Sequence, residues 1–188
     1  MIRIATPQDY EQMLKIYAYY IKETSITFEC EIPTASAFSK RMVAFQEAYP
    51  CLVLEADGKV AAYAYAHRMF ERSAYQWDAE LSVYCDHSCK KLGYGSKLLC
   101  KLLELLEMMG IVNVYSLVTL PNAGSETLHQ RLGFVQTGVY HQTGFKHGAW
   151  HDVGVYEKAL RKHPQLPAAV TPFPDLNNEE IRKRLEES

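Results

Sequence analysis

The sequence predicts an α/β domain in which helices cover a mixed sheet. Three observations carry that prediction. Periodic segments follow one another in the order β-α-α-β-β-β-α-β-α-β-β, an alternation that suits helices packed on sheet faces. Asp57-Gly58 sits between two β-rich runs and signals a hairpin. A short strand then leads, through a glycine-rich turn, into a long leucine-lined helix.

Taken in order, residues 2–5 read as a short strand. Thr6-Pro7-Gln8-Asp9 opens a helix: Thr6 caps, Pro7 suits the first helical position, and Asp9 completes an acidic variant of the capping box. Tyr10, Met13, Leu14, Tyr17 and Ile21 then recur on one helical face. Residues 25–28 break that period and read as a loop. Thr34 caps a second helix carrying Phe38, Met42 and Phe45, which ends before Pro50. Residues 51–56 and 59–66 are the hairpin strands, and 80–85 a third strand with alternating Leu81, Val83 and Cys85. The helix over 93–109 buries Leu98, Leu99, Leu102, Leu105, Leu106 and Met109 and stops at Gly110. Residues 112–118 form a strand, 123–132 a short helix closed by Gly133, and 134–140 and 152–158 two last strands. After Leu160 the composition changes. Pro164, Pro167, Pro172 and Pro174 mark an extended linker, and a short charged helix follows over 178–187. Residues 161–188 are expected to be an exposed appendage to a domain over 1–160.

The chain has 188 residues, 48% of them apolar, and a formal net charge of −2. That length suits one domain with a tail, and that apolar share is ordinary for a globular protein. No block of lysine or arginine points to nucleic acid or an anionic membrane. The N-terminus lacks the apolar stretch of a signal peptide, and no run approaches the roughly 20 apolar residues of a membrane span. A soluble, cytoplasmic protein is expected. The five cysteines are irregularly spaced, so no disulfide framework is expected. Cys85, His87 and Cys89 lie close together, but structural zinc needs four ligands, usually in two close pairs, and no second pair exists. No metal is expected.

The turn Lys90-Lys91-Leu92-Gly93-Tyr94-Gly95-Ser96 joins a strand to the long helix. Its glycines permit a tight turn, and the free amides of a helix's first turn, with the helix dipole, bind phosphate oxygens. Lys90 and Lys91 add positive charge there. Gly-x-Gly alone is equally an ordinary tight loop. A Rossmann site needs a third glycine and an initial βαβ unit, and a phosphate-binding Walker loop needs Gly-Lys-Ser/Thr. Both are missing.

Lys90-x-x-Gly93-x-Gly95 between a strand and a leucine-rich helix resembles the acetyl-CoA signature of the GNAT superfamily, with Lys90 where the family usually has Arg or Gln. Further segments resemble its phosphinothricin acetyltransferase branch. They are Ile16-Tyr17, Thr27-Phe28, Gln76-Trp77, the run from Glu80 to Tyr84, Leu120-Pro121-Asn122, Leu128-His129, and above all Gly144-Phe145-Lys146-His147-Gly148-Ala149-Trp150-His151-Asp152-Val153-Gly154. The likeness spans residues 2–158. It implies the GNAT acyl-CoA N-acyltransferase fold, with a mixed, mostly antiparallel sheet flanked by helices. It also implies a homodimer, and transfer of acetyl from acetyl-CoA to the primary amine of a small amino-acid-like molecule of the phosphinothricin or methionine sulfoximine type. A protein amine acetyltransferase and a non-catalytic acyl-CoA-binding module are the alternatives.

The resemblance also implies roles. The turn from Lys90 through Ser96 cradles the pyrophosphate, the strand at Val83, Tyr84 and Cys85 pairs with the pantetheine arm as an added strand would, and Asn122 and Ser125 hold the same arm. Acetyl transfer to an amine needs a base, donors for the developing oxyanion, for which amides near Val83 serve, and a proton for the leaving thiolate. Glu80 is the base; a carboxylate of ordinary pKa is weak for this and must act from partial burial or through water. His129 stands where many family members have a tyrosine acid, and histidine takes or gives a proton near neutrality. Without the resemblance, Glu80 reads as a surface carboxylate and His129 as a helix-face residue. Arg72 and Tyr75 face the substrate, a guanidinium suiting a carboxylate or phosphinate; Phe28, Lys146, Trp150 and His151 complete the pocket, although such aromatics serve equally in a core or a dimer contact. Phosphinothricin-specific relatives carry a second basic residue where this chain has Phe70, which leaves room for a less anionic amine.

Overall fold

A computed structural model describes residues 1–89 and 92–186. Strand β1 (Ile2–Ile4) precedes helices α1 (Tyr10–Glu23) and α2 (Ala35–Gln46), then strands β2 (Cys51–Ala56), β3 (Lys59–Arg68) and β4 (Asp78–Cys85). Helix α3 (Tyr94–Met109), strand β5 (Asn113–Leu120) and helix α4 (Ala123–Arg131) follow. The long hairpin β6 (Val135–Lys146) and β7 (Ala149–Ala159) and a last helix α5 (Asn178–Glu186) complete the chain.

The strands form one sheet in the order β1-β2-β3-β4-β5-β7-β6. Every neighbouring pair is antiparallel except β4 with β5. This is the mixed, mostly antiparallel sheet that the sequence predicts. Side chains alternate between its two faces. On the front face α1 and α2 bury Met13, Tyr17, Phe38 and Met42 against Val53 and Tyr63. On the back face the leucines of α3 pack on Leu52, Ala64, Leu81, Val114 and Tyr156.

Local chemistry sets the helix ends. Asp9 accepts from both the amide and the hydroxyl of Thr6, and from Arg3; those bonds hold its carboxyl down at about 2. The Thr34 hydroxyl accepts from Ala37 N at α2. Gly93 and Gly110, both left-handed, bracket α3.

Two expectations need correcting. The last two strands are longer than their periodicity shows, because His147 and Gly148, with φ of 51° and 74°, form a tight turn inside the long glycine- and aromatic-containing motif. The tail is not an exposed appendage: Phe173 and Ile181 are buried in the back-face core. Thr171 N donates to Met109 O at 2.9 Å, Phe173 N to Ala48 O at 2.9 Å, and the Trp77 indole to Ala168 O at 2.8 Å. Proline spacing signals extended backbone, and extended backbone can lie along a core as well as leave it. Among the described residues no helix is long and apolar enough to cross a membrane.

Candidate active site

β4 and β5 pair only at Asp78↔Asn113, Ala79↔Val114 and Glu80↔Tyr115. Beyond that rung both strands continue, β4 to Cys85 on β3 and β5 to Leu120 on β7, without each other. The sheet therefore opens into a V with Glu80 at its root. Antiparallel pairing turns alternate residues of a strand toward alternate edges. Asp86 N bonds back to Ala61 O, whereas Cys85 O accepts from the Tyr20 hydroxyl at 2.6 Å on the other side. By that alternation Val83 N–H and C=O point into the gap, with nothing of β5 opposite them. Cys85 O is already engaged, so the stretch open to an added strand centres on Val83.

The mouth of the V is where α3 and α4 begin. The first i→i−4 bond of α3 is Lys97 N to Gly93 O, at 3.1 Å, so the amides before it lack helical partners. Burial pushes the Cys85 thiol up to about 11, and the nearby Gly95 amide opposes the rise. A Cβ on Gly95 would stand 3.5 Å from Cys85 Sγ and Leu128 and 3.7 Å from Val83, so α3, β4 and α4 converge here. Tyr94 and Ser96 turn their side chains the other way, into a groove of about 1360 Å³ between β1, α3 and α5. That groove belongs to the far side of α3, away from Glu80. Leu92 is exposed. The expected pyrophosphate contacts of Lys90 and Lys91 lie outside the described residues.

Asn122 caps α4: its Oδ1 accepts from Ser125 N at 3.2 Å, and its own amide donates to Glu126 at 2.8 Å. The cap uses the side-chain oxygen and leaves the Nδ2 donors for a ligand. His129 is 1% exposed, packed edge-on against Phe134 and near Tyr156. Its Nδ1 lies 2.8 Å from Ser125 O. A carbonyl only accepts, so Nδ1 carries the proton and Nε2 a bare lone pair. Nε2 is buried without a partner among the described residues, and burial lowers the imidazole pKa against the Ser125 bond.

Glu80 faces the front, half-buried. Burial raises its pKa, and His67, its cross-strand partner on β3, pulls the other way. His67 stacks on Phe45 at 5.0 Å, and its Nδ1 lies 2.9 Å from Arg68 O. Tyr84, next along the front face after Ser82, packs against Tyr17, Tyr20 and Tyr63; burial pushes its hydroxyl well above the usual phenol range. On β5, Tyr115 is pushed up to about 12, first by burial and then by Asp78 and Glu157.

A loop over residues 24–30 crosses the front of the V. Thr27 shares a 2.8 Å hydrogen bond with the Tyr17 hydroxyl, and Thr119 donates to Ile26 O at 3.4 Å. Glu29 pairs with Arg41 of α2. Lys146, 5% exposed, donates to Thr27 O at 2.7 Å, and burial lowers its pKa. Phe28, Lys146 and His151 thus gather on the front face. Trp150 parts from them. It is paired with Phe145, its ring tilted against that one at 5.2 Å, and is 60% exposed. Strand alternation puts its side chain on the face opposite Gly144, Lys146 and His151. Arg72 and Tyr75 lie in the β3–β4 connection, below the root of the V, with Tyr75 against Phe70.

Residue reading missed the Tyr17–Thr27 bond, the His67–Glu80 rung and the Tyr20 bond to Cys85 O, all of which depend on registers between distant segments. Among the described residues no three or more His, Cys, Asp and Glu side chains gather to hold a metal; His87 stacks on Tyr19 at 4.4 Å.

The sheet opens beside a helix start, with a carboxylate at the root of the gap, and leaves room along β4 for an extended ligand. Residues 2–155 match the family described as acetyltransferase (GNAT) domain, and the chain belongs to the GNAT acetyltransferases. It is an acetyl-CoA-dependent N-acetyltransferase of that family. It is similar to a phosphinothricin N-acetyltransferase of Streptomyces viridochromogenes, 37% identical over 91% of this chain and 91% of that one. An L-methionine sulfoximine/L-methionine sulfone acetyltransferase of Salmonella typhimurium is 28% identical, with 86% of this chain and 95% of the relative covered. The crystal structure of a phosphinothricin acetyltransferase from Sinorhizobium meliloti in complex with acetyl-CoA superposes with a TM-score of 0.85 at 27% identity, covering 92% of this chain and 97% of that one.

Proposed function

We propose that the chain acetylates the primary amine of a small amino-acid-like molecule of the phosphinothricin or methionine sulfoximine type, with Glu80 as base. The observation that carries the reading is the parting of β4 from β5 immediately after Glu80↔Tyr115. The residues present fit acetyl-CoA. Val83 offers unpaired backbone to an extended arm, the start of α3 offers amides to a phosphate, Asn122 at the start of α4 spends its side-chain oxygen on the cap, and the buried His129 Nε2 lacks a partner among the described residues. When bound, the coenzyme supplies an acetyl group activated as a thioester.

The protein's own residues do the rest. Half-burial raises the Glu80 pKa, so its carboxylate is a stronger base than an exposed one. It takes the ammonium proton, directly or through one water. Val83 N–H is the donor turned toward the developing oxyanion. His129 in its Nδ1–H form presents an acceptor at Nε2, which favours assistance to the base over donation of a proton it does not hold. Phe28 and Lys146 wall the amine side, and Arg72 and Tyr75 approach from the β3–β4 connection. Trp150 is better suited to a contact between subunits. Exposed Leu117 on the front of β5, and Val135 and Tyr140 on the front of β6, support a homodimer. A cytoplasmic location accords with this chemistry.

The test is turnover. Protein mixed with acetyl-CoA and a panel of amino acids, methionine sulfoximine, phosphinothricin and lysine peptides is followed by thiol release and by product mass. Acetylation of small amines bearing a carboxylate is expected. Acetylation of peptides alone, or coenzyme binding without turnover, overturns the reading.

A further inference from the structure

We infer that Gly144 is a specificity-determining position, because the space of its missing side chain is the seat of the Phe28 ring. The inference rests on the amine-side reading of Phe28 given above. A Cβ built on Gly144 would stand 2.2, 2.3 and 2.6 Å from Phe28 Cε2, Cζ and Cδ2. Carbon atoms in contact sit roughly 3.5–4.0 Å apart, so the ring and a methyl group cannot both occupy this place. The backbone of Gly144 lies outside the left-handed region and imposes no need for glycine. The other glycine inside β6, Gly138, has nothing within 4 Å of a built Cβ. Gly144 is therefore needed for space alone, and the space is filled by one side chain from a segment more than a hundred residues away.

The ring has little freedom to give way by moving the loop that carries it. Thr27, its neighbour, is held through its carbonyl by Lys146 at 2.7 Å and through its hydroxyl by Tyr17 at 2.8 Å. Glu29, on the other side, is held by Arg41. Thr24 O lies 3.2 Å from the His147 ring, and Phe28 lies 6.2 Å from the His151 ring. Lys146, His147 and His151 come from the same hairpin as Gly144. The hairpin end thus clamps the loop at several points and leaves one flat notch for the ring. The depth of that notch sets where the Phe28 ring stands over the front of the V, and so how much side chain an amine can bring past it.

A methyl at Gly144 must swing the ring to a new rotamer while the loop backbone stays. The test is a two-by-two set: wild type, Gly144→Ala, Phe28→Ala and the double variant. Each is assayed for KM and kcat with several amines of different side-chain length, for KM with acetyl-CoA, and for thermal unfolding. Gly144→Ala is expected to change amine KM by about tenfold or more and to reorder the amines, with acetyl-CoA KM changed less than about twofold. In the Phe28→Ala background the same substitution is expected to change amine KM less than about twofold, since nothing is left to displace. Equal effects in both backgrounds, or a loss that falls on kcat and acetyl-CoA KM alike, overturn the assignment. If Gly144→Ala alone fails to fold, recovery of folding in the double variant supports the notch, and failure of both overturns it. Should the wild type acetylate no amine, the functional reading falls by itself. A crystal structure of Gly144→Ala then decides the notch: an unmoved Phe28 ring refutes it, a swung ring upholds it.

Discussion

The two ends of the β4–β5 pair are built differently. At the closed end backbone groups at the junction are paired with protein partners. Trp77 O accepts from Val112 N at 2.9 Å and Asn113 N at 3.2 Å, Asn113 donates to Asp78 at 3.0 Å, and the Trp77 indole reaches Ala168 in the tail. At the open end the links among the described residues run through side chains and the crossing loop: Tyr17 with Thr27, Thr119 with Ile26 O, and Tyr20 with Cys85 O. Buried backbone groups are nearly always paired, so a strand left open next to its own sheet is a place made for another extended chain. The closed end supplies the rigidity against which that place is held. Substitutions at the open end should cost activity and spare stability, and those at the closed end the reverse.

The largest effect is expected at the root. Glu80→Gln keeps the shape and removes the carboxylate proposed as base, and kcat should fall by about 10²–10⁴, while acetyl-CoA binding by titration and thermal unfolding stay near wild type. The pH profile sharpens the point. A base works when deprotonated, so kcat/KM falls as pH drops through the Glu80 pKa. Burial raises that pKa, which moves the acid limb to higher pH than an exposed glutamate would give. His67 opposes the rise, so His67→Gln should move the limb to still higher pH, and Glu80→Gln should abolish it. A limb unmoved by either variant assigns the titration to another group.

The next effect belongs to the closed end. Phe173 carries the tail into the back-face core beside α3. Truncating a buried phenylalanine to alanine costs about 3–5 kcal/mol. Phe173→Ala should therefore lower stability by that order in a denaturant titration, with amine KM in the surviving folded fraction unchanged. A shift in amine KM as large as that expected from Gly144→Ala would break the division between the two ends.

How much of this was legible in the sequence depends on how far each residue's partner lies along the chain. The α3 face could be read because Leu98, Leu102, Leu105 and Met109 repeat within one helix and all are buried. The turn at Gly93 could be read because its left-handed φ of 77° demands glycine there. Glu80 was legible as the head of a strand and Asn122 as a cap. The reach of β6 and β7 was not, since the polar stretch around His141 and Gln142 hides a bulge between Tyr140 and Gly144 that interrupts strand alternation. Trp150 illustrates the same difficulty: its motif neighbours Lys146 and His151 share the front face, but parity along β7 sends Trp150 to the back. The tail was misread because four prolines argue for extended backbone and say nothing of Phe173 or Ile181 finding a core. The seat of Phe28 on Gly144 required the folded loop itself.

The smallest effect tests whether the tail braces the V or merely covers α3. The Trp77 indole donates to Ala168 O, and its carbonyl receives the two amides that open β5. Trp77→Phe deletes the indole donor and keeps an aromatic ring. The backbone carbonyl at residue 77 still accepts from Val112 and Asn113, so the junction itself is kept. The cost is one hydrogen bond, about 1 kcal/mol, together with some lost packing. If the tail is only a cover, hydrogen exchange should quicken around Ala168 and Thr171 and nowhere else. If it braces the closed end, amides of Val114 and Ala79 should quicken too, because the same residue anchors both. The second pattern is expected, since Trp77 stands directly before β4 and its carbonyl begins the only parallel pairing in the sheet. Protection lost at the tail alone would leave the rigidity of the root to Asn113 and Asp78.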